Sequence, residues 1–290
     1  MIDYAWLMHE IDEVQREYEE VKVTVLGRSI LGREIPVITL GEGAHTVLYV
    51  GAQRGEDARM AGVLLQFVRE YLFRLRENAL VFERRMKYFF AERTVKIIPM
   101  LNPDGVEYAT HGVSRENPLY ERVRGMNGSE DFSHWCANAR GVDLQHNFEV
   151  GFFAHREKTG VLSGAPALFG GEYPESEPET AAVSRYIRAN AQELRGVMGL
   201  EIGKEGVRCP CADKLSAKSM AVGRLLQKST GFHLKSPQRL AYGGGLGEWC
   251  IECFGRPAYT VSCGEATPPL SDNALFGVLR RALFTFPFML

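Results

Sequence analysis

The chain has 290 residues, 45% of them hydrophobic, with 34 basic and 36 acidic side chains and a formal charge of -2. That apolar content supplies a large buried core and excludes disorder. The near-neutral balance, with no basic block, leaves no footprint for nucleic acid or an anionic membrane. Acidic residues begin at Asp3 and no apolar h-region follows, so a secretory signal is not expected. No apolar run approaches the roughly 20 residues of a membrane span, and the expectation is a cytoplasmic protein.

Residues 4–20 carry Leu7, Ile11, Val14 and Tyr18 at helical spacing and predict a first helix. VKVTVLG and EIPVITLG read as strands around a turn at Leu31-Gly32-Arg33. HTVLYVGA is a buried strand, followed by polar Gln53–Arg59 and a helix over MAGVLLQFVREYLFRL. VKIIPMLN is another buried strand, closed by a structural turn at Asn102–Gly105. Residues 109–176 read as long loops, a length that points to function. Ser176 is expected to N-cap the next helix, with Glu179 at the capping-box position. GVMGLEIG is a strand and ADKLSAKSMAVGRLLQKST a helix ending near Gly231. GEWCIECFG reads as a helix, AYTVSCG as a strand and NALFGVLRRALFTFPF as the closing helix. The order predicts one α/β domain over 1–290, a three-layer fold with a mixed parallel and antiparallel sheet and helices on both faces.

Six cysteines are present, including the pairs Cys209/Cys211 and Cys250/Cys253. One residue separates the first pair, too few for a zinc clip, and the second lies in the apolar run WCIECF. Both read as structural thiols.

Ligands in open α/β sheets bind beyond the carboxyl ends of the strands. The informative residues are therefore Gln53–Glu56, Asn102–Gly105, Glu201 and Ser262–Gly264. That ordered set resembles the zinc carboxypeptidase family along nearly the whole chain. LGRSILGREI, IIPMLNPDGVEY, ANARGVDLQHNF, GAPALFGGEYPESEPET and GGLGEWCIECFGRPAYTV are each similar to a family segment. The tail GEATPPLSDN is closest to the bacterial branch acting on γ-D-glutamyl-diaminopimelate bonds in cell-wall peptides.

The resemblance implies a zinc ion held by a His and a Glu spaced H-x-x-E and by a distant His, with an open position for water. It also implies a Glu general base and arginines for the substrate carboxylate and the developing oxyanion. In this sequence only Glu56 keeps its type. Gln53 stands at the first His position and Glu201 at the distant one. Ser262 stands at the general-base position and Gln145-His146 at the Asn-Arg pair. Cys136, seven residues before Asp143, falls where a basic residue is often found. Tyr242, before three glycines, matches a mobile cleft tyrosine.

An amide is a poor zinc ligand, and a serine is no carboxylate base near neutral pH. An imidazole cannot reproduce the fork of a guanidinium. The expectation is a pseudoenzyme without a cofactor, binding a peptide, a cell-wall fragment or a protein partner in the former cleft. Two other readings stand beside it. In one, Gln53, Glu56 and Glu201 form an oxygen-rich site for Mg²⁺, Ca²⁺ or Mn²⁺, with Cys263, Ser262, His146 and Glu265 as reactive groups. In the other, a zinc peptidase recruits His155, His111 or His134. Glu248-Trp249 is read as a core anchor near the cleft floor, and Arg140 as facing the cleft or pairing with Asp143.

Overall fold

The computed structural model describes residues 1–210, 216–235, 243–265 and 270–290. The helices are α1 (Tyr4–Glu17), α2 (Ala58–Arg76), α3 (Met86–Glu92), α4 (Pro103–His111), α5 (Tyr120–Asn127), α6 (Phe152–Thr159), α7 (Pro178–Ala189), α8 (Ala217–Thr230), α9 (Leu246–Phe254) and α10 (Asp272–Met289). The strands are β1 (Lys22–Arg28), β2 (Glu34–Leu40), β3 (His45–Val50), β4 (Leu80–Val81), β5 (Arg84–Arg85), β6 (Arg93–Ile98), β7 (Leu194–Gly203), β8 (Gly206–Arg208), β9 (Leu234–Lys235) and β10 (Ala258–Gly264). An eight-stranded sheet runs β1-β2-β6-β3-β7-β10-β8-β9, and β4 and β5 form a separate hairpin. The centre, β6-β3-β7-β10, is parallel; β1, β2 and β8 join it antiparallel.

Alternation along the strands divides the core into two layers. Val47 and Tyr49 of β3 turn to one face, where α1, α2, α3, α8 and α10 pack. Leu48 and Val50 turn to the other, against α7, α9 and the segment around Leu144 and Phe148. A smaller cluster under α4 and α5 surrounds the buried Trp135. No helix among the described residues is long and apolar enough to cross a membrane.

Three local expectations are corrected. Residues 109–176 are not continuous loop: they hold α5, α6 and the end of α4. Asn102 starts a helix rather than a turn, its side chain capping the Gly105 N–H at 3.0 Å. The helix after Ser176 begins later, at Pro178, with Glu177 as N-cap, because proline is favoured in the first helical position. Ser176 instead donates to Glu177 Oε1 and accepts from Asn147 Nδ2. α8 is described from Ala217, capped by Ser216, and residues 212–215 of the expected helix lie outside the described residues.

Candidate functional site

The carboxyl ends of β3, β7 and β10 bring Gln53, Glu201 and Ser262 to one end of the sheet. Ala52, fully buried and at φ 42, turns the chain as it leaves β3. A non-glycine residue there carries backbone strain and persists only where its surroundings hold it. Here Asn102 holds them: its N–H bonds to Ala52 O at 3.0 Å, and its side-chain amide reaches the carbonyls of Gln53, Cys136 and Ala137, each at 3.1 Å. The residue read as structural thus ties the strand end to the 136–137 segment.

Register places the rest. Ser262 on β10 faces Glu201 on β7, and Thr260 faces Gly199 on β7 and Arg208 on β8. Residues two apart on a strand share a face, so these side chains meet on one surface. Glu201, 5% exposed, is the hub. Its Oε1 accepts from Ser262 Oγ at 2.5 Å and lies 2.6 Å from Arg208 Nη2; its Oε2 accepts from Gln145 Nε2 at 3.1 Å. Both oxygens of the carboxylate are therefore committed to protein donors.

Glu56 is committed as well. It sits in the short turn Gly55–Asp57, with Oε1 2.8 Å from Arg54 Nη1. Arg54 grips the fully buried Asp57 with two nitrogens, at 2.8 and 3.0 Å, and donates to Ile202 O at 2.5 Å. Burial raises the Asp57 carboxyl, and the Arg54 charge and the Ile202 N–H oppose the rise. Cys136, donating to His134 O at 3.6 Å, has its thiol pushed well up by burial and by the charges of Asp143 and Glu56, so it is no thiolate nucleophile.

His146 Nδ1 donates to Gly243 O at 2.8 Å, and its ring stacks on His155 with centroids 3.7 Å apart. His155 donates to Leu168 O at 2.8 Å; burial and the neighbouring His146 lower its pKa. Glu248 lines the cleft while Trp249 is buried below it, as read. Tyr242 lies outside the described residues, as does Cys211.

The residues proposed for other chemistries do not assemble. Cys263 is buried on the opposite face of β10, among the core side chains under α10, its thiol pushed up to about 12. Glu265 is exposed past the strand end. His134 is exposed, with Nδ1 3.8 Å from Glu56 Oε2. His111 pairs with Asp3 at 3.0 Å, outside the cleft. Arg140 pairs with Glu177, 3.2 Å away, rather than with Asp143, whose oxygens accept from the Gln145 and Leu168 N–H groups. Cys209 and Cys250 are buried and Cys253 exposed. Sequence reasoning missed Arg208, Thr260 and the Arg54–Asp57 clamp. The one available signal was an arginine in an otherwise apolar stretch, GVRCP, next in sequence to the glutamate-bearing strand.

A mixed eight-stranded sheet between two helical layers, with the candidate side chains at the ends of its parallel strands, is a zinc-peptidase architecture. The chain belongs to the zinc carboxypeptidase family, whose model matches residues 7–220. It is 25% identical over 286 residues to gamma-D-glutamyl-L-diamino acid endopeptidase 1 of Lysinibacillus sphaericus, covering 98% of this chain and 71% of that protein. It is 27% identical over 288 residues to the uncharacterized protein YqgT of Bacillus subtilis, covering 95% and 75%. In fold it is similar to bovine thrombin-activatable fibrinolysis inhibitor, with TM-score 0.71, 16% identity and coverage of 99% and 93%. It is also similar in fold to the murein-tripeptide amidase MpaA of Escherichia coli O157, with TM-score 0.56, 19% identity and 91% of each chain.

The donors present do not fit the zinc of this family. A zinc site needs neutral imidazoles or carboxylates with free lone pairs. Here the cleft offers the Gln53 amide, and the Glu201 carboxylate already pairs with the Arg208 guanidinium. Among the described residues, the one group of three His, Cys, Asp or Glu ligand atoms within 4.8 Å of one another is Asp3, Glu107 and His111, none of which lines the cleft.

Proposed function

We propose that this chain is a non-hydrolytic member of the zinc carboxypeptidase family that binds a peptide or a cell-wall peptide fragment in the former catalytic cleft, without a metal. One observation carries the reading: Glu201, at a metal-ligand position, spends both carboxylate oxygens on Ser262, Gln145 and Arg208. Metal activation of water and a general base are two separate sources of rate, the second alone contributing about 10²–10⁴-fold. Gln53, Glu201 and Ser262 remove both together.

The ligand class is supported by the relatives, one named for γ-D-glutamyl-L-diamino acid bonds and one for a murein tripeptide. The cleft suits a peptide for its own reasons too. Gln145, His146, Glu248 and Arg208 supply hydrogen-bonding and charged groups around a small cavity of about 60 Å³. A side chain or peptide group enters, and the remainder of the ligand lies across the mouth.

The test is calorimetry and product analysis with a γ-D-glutamyl-diamino-acid peptide. The expected result is saturable binding that survives a chelator, with the peptide recovered intact after prolonged incubation. Cleavage that needs added zinc would overturn the reading.

A further inference from the structure

Two imidazoles are stacked beside the cleft. The rings of His146 and His155 lie 3.7 Å apart between centroids, with an interplanar angle of 11°. Both are largely withdrawn from water: His155 is 5% exposed and the His146 side chain 11%. Each ring spends one nitrogen on a backbone carbonyl at 2.8 Å, His146 Nδ1 on Gly243 O and His155 Nε2 on Leu168 O. A carbonyl only accepts, so both nitrogens are N–H donors, and each ring makes its bond while neutral.

The pair ties the wall of the cleft to the segments behind it. His146 and Gly245 both line the cavity. Phe148 N–H to Gly244 O and Gly244 N–H to Val150 O, both at 2.7 Å, hold residues 243–245 against residues 146–151. A Cβ on Gly244 would stand 2.2 Å from His146 O, and one on Gly243 would stand 3.0 Å from the Cβ of His155. The wall therefore lies flat against the two histidines, an approach that glycine permits. Behind the stack, Leu168 is a non-glycine residue at φ 67. Its N–H bonds to Asp143 Oδ2 at 3.0 Å and its carbonyl to His155. Such a backbone persists only while its surroundings hold it.

We infer that the stacked His146–His155 pair is a proton-sensitive latch: it holds the 243–245 wall in place while it carries at most one proton, and it lets go when a second arrives. Two positive charges at this separation repel strongly out of water. The charged groups facing the pair are Asp143, 4.0 Å from His146 Nε2, Glu248 on α9 and Lys158 on α6. The two carboxylates favour a first proton, and Lys158 and the first imidazolium oppose a second. Burial, and then the neighbouring His146, hold His155 below the ordinary histidine range. Once separated and solvated, the rings would protonate near the usual value of about 6.5. The closed state is therefore at full strength above about pH 6.5. It weakens as pH falls towards the lowered value of His155, by up to about tenfold in the opening equilibrium per pH unit.

Hydrogen exchange of the Phe148 and Gly244 amides tests the latch, read by NMR on the intact protein and corrected for the intrinsic pH dependence of exchange. Amides of β3 report opening of the whole molecule. In the unaltered protein, protection at Phe148 and Gly244 is expected to fall at least about tenfold from pH 7 to pH 5 while β3 stays protected. His155→Phe keeps a ring on His146 but cannot ionise, and His155→Gln keeps an N–H for Leu168 O. Both are expected to show protection that changes less than about twofold over that range, with circular dichroism to establish that they are folded. The imidazole nitrogen shifts of the unaltered protein are expected to show the pair taking its two protons in separate steps. Equal protection at pH 5 and pH 7, a loss that persists in either folded variant, or uptake of both protons in one step contradicts the latch. No readout needs a ligand, so these outcomes are independent of the binding role proposed for the cleft.

Discussion

Arg208 Nη2 lies 2.6 Å from Glu201 Oε1, a guanidinium against a buried carboxylate of the cleft. The pair comes from two strands that do not touch: β10 lies between β7 and β8, carrying Ser262 against Glu201 and Thr260 against Arg208.

The pair is partly buried, with side-chain exposures of 24% for Arg208 and 7% for Glu201. Removing one member of such a pair strands the other charge, whereas removing both does not. Arg208→Met is therefore expected to cost about 2–4 kcal/mol of stability. Adding Glu201→Gln is expected to restore most of it. Urea unfolding of the two single variants and the double variant measures this; equal, additive losses would show that the two side chains are not coupled.

Placing histidines at positions 53 and 201 is not expected to create a zinc site while Arg208 remains. In Gln53→His/Glu201→His the guanidinium no longer faces a carboxylate at position 201 and repels a dication at short range. Zinc affinity of that variant is expected to be at least about tenfold weaker than when Arg208→Met is added. Arg208→Lys in place of Arg208→Met is expected to keep zinc weak, because it keeps the charge. Competition with a chromogenic chelator reads all three.

Ser262→Glu alone is expected to give no peptidase. The new carboxylate would stand where Ser262 Oγ now donates to Glu201 at 2.5 Å. A hydrogen bond becomes a like-charge contact, and the variant is expected to melt several degrees lower with peptide turnover at the buffer baseline. Turnover above baseline would mean that a general base was the one missing part.

Glu179 supplies a pH test away from the cleft. Burial pushes its carboxyl up to about 8, helped by the charges of Asp104 and Glu177. The folded state therefore holds a proton that the unfolded chain releases near pH 4.5. Stability is full below that point, falls as pH rises towards 8 and levels off above it. Glu179→Gln, which cannot ionise, is expected to flatten the decline and raise the melting temperature at pH 8.5 by several degrees. Thermal melts from pH 5 to 9 on both proteins decide it.

Much of this architecture was legible in the sequence, because strands buried on both faces read as apolar runs such as HTVLYV and helices as stripes such as Leu7, Ile11 and Val14. The ordered motifs placed Gln53, Glu201 and Ser262 at the strand ends where the structure has them. What was not legible depends on pairing between distant strands. Arg208 is ion-paired to a residue only seven positions away, but through a sheet order in which β10 intervenes, and nothing local announces that. Ser176 failed as a cap for a local reason: Pro178 fixes the first helical position and moves the cap to Glu177. The long middle segment hid its short helices because α5 and α6 are eight residues each and show little apolar periodicity.

The reading proposed above requires that the cleft around Gln53, Glu56 and Glu201 hold no zinc. Zinc content by inductively coupled plasma mass spectrometry, after equilibration with a slight excess of zinc and gel filtration, tests it most directly, with Glu56→Gln as the control for adventitious binding at exposed thiols such as Cys253. The predicted result is far less than one zinc per chain, unchanged by Glu56→Gln. One zinc per chain that is lost in Glu56→Gln would contradict the claim.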